Sequence, residues 1–197
     1  MTSRVVTALV ATTHGRVAIE LDGDPWLVVD LAVIVHHQVA VGCILEAASL
    51  AAIDSEARAQ LALERGAKLL SRRSHARGEL EARLARKDGA EAAQRAAERL
   101  AEIGAIDDER HAQEVAASLL QRGWGPARIE HDLTASGVAE TLVRSTLATV
   151  SADRIDAAGR VAMGSRLAGD AWRRLASRGF DEDVAERLAG PPLDELT

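Results

Sequence analysis

With 197 residues, no Tyr, one Phe and 2% aromatic content against 47% apolar residues, the chain has to build its core from Ala, Leu and Val. Ala and Leu are the strongest helix formers, whereas strands are enriched in β-branched and aromatic residues, so this composition favours close-packed helices. A formal net charge of −6 argues against a nucleic-acid binder that is basic throughout, and one cysteine, Cys43, excludes an internal disulfide framework and reads as a small core residue.

Residues 1 to about 30 read as strands. Val5 to Ala11 is an apolar run too short for a signal-peptide core, Val17, Ile19 and Leu21 alternate onto one face, and Asp22-Gly23-Asp24-Pro25 is a turn before Trp26 to Val29. Residues 30–53 predict short helices with a break at Gly42. His36, His37, Gln38 and Glu46 interrupt this apolar stretch, which argues against a membrane span and makes a cytoplasmic protein the expectation.

From Ser55 the pattern is helical without interruption. On a helix from Ser55 to Arg73, Ala59, Leu63, Ala67 and Leu70 share one face, with Arg65, Lys68 and Arg72 nearly opposite at roughly 100° per residue. Ala112, Val115, Ala116, Leu119 and Leu120 keep helical spacing behind Asp107, Asp108 and Glu109, whose charge complements the helix dipole. The next helix opens at Gly125-Pro126 and ends at Gly137, a left-handed residue just past the last turn; another follows from about Ala139 to Val150. A third group runs from Asp153 to Gly190 and stops at Pro191-Pro192.

A unit recurs along this helical stretch with changed spelling: Leu80-x3-Leu84 before Gly89, Ile129-x3-Leu133-x3-Gly137, and Ala171-x3-Leu175-x3-Gly179. The offsets, 49 from Leu84 to Leu133 and 42 from Leu133 to Leu175, are periods of helical arrays, in which stacked units bury a continuous core and present a long binding surface. The expected fold is therefore mainly all-α: three tandem three-helix repeats forming an elongated array, with a small N-terminal β-hairpin and short-helix element. The expected divisions are 1–54, 55–104, 105–151 and 152–192.

The charge is unevenly placed. Arg65, Lys68, Arg72, Arg73, Arg77, Arg83, Arg86 and Lys87 stand against only Glu64, Glu79 and Glu81 between positions 64 and 87, a basic island in an acidic chain. One reading is a solvated helix face; the other is a local positive field for phosphates or an acidic groove, carried above all by Arg72, Arg73 and Arg77. Trp124, between two glycines, reads either as a residue packed between units or as a contact for a partner, and the flanking Arg122 and Arg128 extend the basic surface. No phosphate-binding loop, Gly-x-Ser-x-Gly or His-Glu-x-x-His occurs, so no catalytic residue and no cofactor is expected. No metal site is expected either, because the adjacent His36 and His37 should point apart and His75, His111 and His131 lack a second ligand at suitable spacing.

Four strings in this order resemble the bacterial regulatory protein RecX family: Arg72-Arg73-Ser74-His75-Ala76-Arg77-Gly78-Glu79-Leu80, Ile106-Asp107-Asp108-Glu109-Arg110-His111-Ala112, Arg122-Gly123-Trp124-Gly125-Pro126-x-Arg128-Ile129, and Leu175-Ala176-Ser177-Arg178-Gly179-Phe180-Asp181. The resemblance covers about residues 55 to 190. It implies an array of three three-helix repeats that binds the recombinase RecA on single-stranded DNA, inhibits its ATP hydrolysis, strand exchange and coprotease activity, and is not an enzyme. The partner-binding candidates are then Arg65, Lys68, Arg72, Arg73, Arg77, Arg122, Trp124 and Arg128, on a monomer with weak direct DNA contact and no membrane association. A helical DNA-binding regulator acting without RecA is the alternative. Three features depart from the family: Ala76 stands where Ser is frequent, removing a helix cap worth ~1 kcal/mol, His111 stands where an aromatic is usual, and Lys87-Asp88-Gly89 carries one residue more than the stretch around Gly137.

Overall fold

The structure, a computed structural model, describes residues 3–165 and 168–190. The alternating N-terminal residues form strands β1 (Arg4–Ala11), β2 (Arg16–Leu21) and β3 (Asp24–Asp30), all antiparallel, and with a short later strand, β4 (Ile44–Leu45), they make a sheet of order β3-β2-β1-β4. Val17, Ile19 and Leu21 face the core as their period of two requires. Asp22 fastens the β2–β3 turn: its carboxylate accepts from Arg4 Nε at 2.8 Å and from the Val5 N–H at 2.9 Å, and these two bonds hold its pKa below the ordinary carboxylate value.

Residues 30–53 depart from the expected run of short helices. One short helix forms, α1 (Leu31–His36), capped by the Asp30 carboxylate accepting from the Ala32 N–H at 2.9 Å. The segment after it supplies β4 (Ile44–Leu45), which pairs with Val5 and Arg4 of β1, and Cys43 packs half-buried against the sheet core. Helix α2 spans Ala47–Leu70, so it starts well before Ser55 and runs through the expected division at 54/55. The extension has a physical cause: Ile53 and Ala57 are buried with Val33, Ile34 and the strand residues, so the sheet needs this part of the helix as its cover.

The buried line of α2 also differs from the expected one. It is Ile53, Ala57, Ala62 and Gly66, whereas Ala67 is exposed and Ala59, Leu63 and Leu70 are half-buried. The helix serves two partners along its length: the sheet, as far as Glu64, which ion-pairs with Arg16, and α4 (Ala90–Glu102), whose Glu91 and Arg95 reach Ser55 and which buries Ala92, Ala93, Ala96, Ala97 and Leu100. A Cβ at Gly66 would lie 2.6 Å from Leu100 Cδ1, so the missing side chain is what lets that leucine approach. Helix α3 (Arg77–Asp88) buries Leu80 and Leu84.

The chain divides into two compact units, the first through Arg73 together with Leu80–Ala105, the second comprising 74–79 and 106 onward. The second holds α5 (Asp108–Gln121), α6 (Pro126–Ala135), α7 (Glu140–Ala148), α8 (Ala152–Met163), α9 (Ala168–Ser177) and α10 (Glu182–Ala189). Asp107 caps α5 by accepting from the Arg110 N–H at 2.9 Å, and Pro126 opens α6. Ile129, Leu133, Ala171 and Leu175 are all buried, like Leu80 and Leu84, and Gly137 and Gly179 both take φ 80° where the chain turns after α6 and α9. The stop expected at Pro191-Pro192 lies outside the described residues. Among the described residues no helix is long and apolar enough to cross a membrane.

The cap missing at Ala76 is replaced from another helix. Ala76 is fully buried, and the first N–H of α3, that of Arg77, donates to Asp108 Oδ1 at 2.8 Å. Beside it, the Ser74 hydroxyl donates to Glu114 Oε2 at 2.6 Å, and with its one proton so committed it accepts from His111 Nδ1 at 3.1 Å. Burial depresses the His111 pKa below that of a free histidine, opposed by Glu79, Asp108 and Glu114 and reinforced by His75. The unfolded chain therefore takes up this proton first as pH falls, and His111 costs stability progressively below about pH 6.5. The expected result is that His111→Phe flattens the fall in urea midpoint between pH 7 and pH 5 relative to the unsubstituted chain. An unchanged slope would contradict it.

Candidate functional site

The basic island separates into parts once folded. Arg65, Lys68 and Arg72 follow i, i+3, i+7 along and just past α2, while Arg83 and Lys87 are one turn apart on α3, and the two rows face each other across a groove of about 300 Å³ floored by Leu69 and Leu84. Five cations thus surround one carboxylate, Asp88. Asp88 is buried at the end of α3 and ion-pairs with Arg65; its Oδ2 has no hydrogen-bond partner among the described residues. Arg65 is consequently committed to compensating a buried charge, and Lys68, Arg72, Arg83 and Lys87 form the accessible rim. The cationic stems lie over Leu69 and the buried Leu84 while the charged ends stay in water, so the groove presents positive charge, which suits an anionic partner.

Of the three arginines expected to act together, only Arg72 lines the groove. Arg73 is exposed just past α2, and Arg77 is half-buried, belongs to the second compact unit, and engages Asp108 through its backbone. Arg83 and Lys87 were visible in the island but not as groove residues, because the facing of α2 and α3 is a tertiary fact. The signal present in sequence was their spacing of four, next to the buried pair Leu80 and Leu84.

Arg122, Trp124 and Arg128 lie in the second unit. Trp124 is half-buried, with the Arg178 guanidinium 4.2 Å and the Arg128 guanidinium 4.8 Å from its ring centroid, both within cation–π range. Arg128 also pairs with Asp132 at 2.8 Å, and Arg178 Nη1 donates to the Arg122 carbonyl at 3.0 Å. The backbone adds two bonds between the same segments: the Gly125 N–H donates to the Arg178 carbonyl at 2.8 Å and the Ala127 N–H to the Gly179 carbonyl at 3.1 Å. Trp124 therefore helps to fasten the turn before α6 to the turn after α9, a packing role. Arg178 is the residue that sequence reasoning left out here, although it stands in the last quoted string.

The model of the second three-helix domain of RecX matches residues 107–147, which take in α5, α6 and α7. The regulatory protein RecX of Lacticaseibacillus paracasei is 30% identical over 139 residues, 70% of this chain and 58% of that protein, and that of Ectopseudomonas mendocina is 34% identical over 140 residues, 65% of this chain and 93% of that protein. The chain spans little more than half the length of the two Lacticaseibacillus relatives, 58% and 53%. A crystal structure of regulatory protein RecX shares the fold at a TM-score of 0.70 and 20% identity, covering 94% of this chain and 98% of that one. Matched over 93% of the Ectopseudomonas mendocina protein at 34% identity, this chain belongs to the RecX family.

Proposed function

We propose that the chain binds the RecA nucleoprotein filament on single-stranded DNA and restrains it, inhibiting ATP hydrolysis, recombination and coprotease activity and so modulating DNA repair, with no catalysis of its own. Family membership supports the partner, and one observation carries the mode of binding: an acidic chain has gathered five cations along a groove whose two walls are regular helices. Such a row produces a local positive field that steers and holds an anionic stretch of the filament, phosphate backbone or acidic protein, despite the net charge of the whole. The helices of the expected repeats 105–151 and 152–192 supply further contact surface, and the protein acts as a cytoplasmic monomer.

The same groove favours a second reading, a DNA-binding regulator acting without RecA. The two separate in ATP hydrolysis by RecA on single-stranded DNA titrated with this chain. Inhibition should approach completion at sub-stoichiometric to stoichiometric ratios, while the chain alone hydrolyses nothing. Full RecA activity in the presence of excess chain would contradict the filament reading.

A further inference from the structure

The expectation that His36 and His37 point apart fails at the end of α1. His36 is the last residue of that helix and His37 its C-cap; the chain then reverses through Gln38 at φ 51°, with the Gln38 N–H donating to the Val35 carbonyl at 3.2 Å and the Val39 N–H to the Ile34 carbonyl at 3.0 Å. This departure from helical geometry brings the imidazoles together: their rings stack with centroids 4.9 Å apart and planes 29° apart. Glu56 of α2 meets both. His37 Nε2 donates to its Oε2 at 2.7 Å, and His36 Nδ1 lies 3.9 Å from its Oε1.

We propose that His36, His37 and Glu56 form a binding site for a divalent transition metal of the zinc type. The donor set is two imidazoles and one carboxylate, with one ligand atom from each within 4.8 Å of the others. Nitrogen donors of this kind suit zinc, copper, nickel or cobalt, whereas calcium and magnesium take oxygen ligands. Metal–ligand bonds of about 2.0–2.2 Å place tetrahedral ligand atoms roughly 3.3 Å apart, so from separations of up to 4.8 Å the His36 nitrogen has to close, while His37 and Glu56, now 2.7 Å apart, open slightly to admit the ion. The closure falls to His36, whose side chain is 70% exposed and free to turn, while His37 and Glu56 are 19% and 30% exposed and already joined.

The scaffold around the three is fixed. Val33, Ile34 and Val39 on one side and Ile53 and Ala57 on the other share one buried core, so the backbone positions on α1 and α2 are set before any metal arrives. Three protein ligands leave a fourth position for water or for a side chain from a partner. The bound ion would displace the proton shared between His37 and Glu56 and staple α1 to α2. None of these residues lines the α2–α3 groove, so the proposal stands apart from the filament reading.

The test is calorimetric titration of zinc chloride into the untagged full-length chain, with thermal unfolding in zinc and in chelator. One equivalent should bind with micromolar affinity and raise the unfolding temperature. His36→Ala, at an exposed position, should leave the circular dichroism and the metal-free unfolding temperature unchanged yet weaken zinc binding at least tenfold, and Glu56→Gln should do the same. Absence of binding at 100 µM zinc would overturn the proposal, as would binding that neither substitution weakens, because the ion would then sit elsewhere.

Discussion

Gly125→Ala should lower the urea midpoint of the second compact unit by about 1–2 M. Gly125 has φ −87°, which any residue adopts, so the cost is not backbone strain. It is contact: a Cβ there would lie 2.3 Å from the Gly179 carbonyl oxygen, 2.5 Å from its carbon and 2.6 Å from the Phe180 nitrogen. These are backbone atoms and cannot rotate away. The turn before α6 and the turn after α9 would have to separate, breaking the bonds from Gly125 and Ala127 and loosening Trp124 from Arg178. Overpacking of this kind costs about 1–3 kcal/mol, and more where backbone must move. The fluorescence of Trp124 and Trp172, recorded in a Trp26→Phe background, reports this unit; Gln121→Ala, at an exposed position, is the control and should shift the midpoint little. A midpoint for Gly125→Ala equal to that of the control would show that the two turns do not meet as described.

Reversing the groove should abolish filament binding. In Lys68→Glu/Arg72→Glu/Arg83→Glu the rim becomes acidic, and if it meets an anionic partner as proposed an affinity loss of at least roughly 100-fold is expected, because like charges brought together across an interface cost several kcal/mol. Arg65 is left in place, since its removal would strand the buried Asp88 carboxylate and destabilise the fold for an unrelated reason. The three chosen side chains are exposed, so the circular dichroism and unfolding midpoint should hold. The corresponding triple Ala variant should reduce the log-log salt slope of binding by about 2 if all three meet single-strand phosphates. Substituting Arg72, Arg73 and Arg77 by Ala should have the smaller effect, because only Arg72 lines the groove. Equal losses for the two triple variants would mean that the groove is not the contact surface.

Much of the fold was legible because its signals are local. The period of two at Val17, Ile19 and Leu21, the caps at Asp107 and Gly125-Pro126, and the buried pairs from Leu80-Leu84 to Ala171-Leu175 each depend on a few neighbouring residues. What escaped was set by tertiary partners. The early start of α2 follows from the sheet's need for Ile53 and Ala57, and its rotated buried line follows from Leu100 seating on Gly66. Neither is written in the sequence of α2 itself. The candidate site divides along the same lines: the island of positive charge could be counted from sequence, but which cations share a groove depended on how α2 and α3 face each other. The two histidines were misjudged because regular helix or strand geometry was assumed at a position where the helix ends on a left-handed Gln38.

The most direct test of the central claim is fluorescence anisotropy of the labelled chain titrated with RecA filament assembled on single-stranded DNA, in parallel with the same DNA alone, at matched ionic strength. The account predicts binding to the filament at least tenfold tighter than to the bare strand, and loss of that preference in the groove-reversed variant. Equal affinity for filament and bare strand, or a preference that survives reversal of the groove, would contradict it.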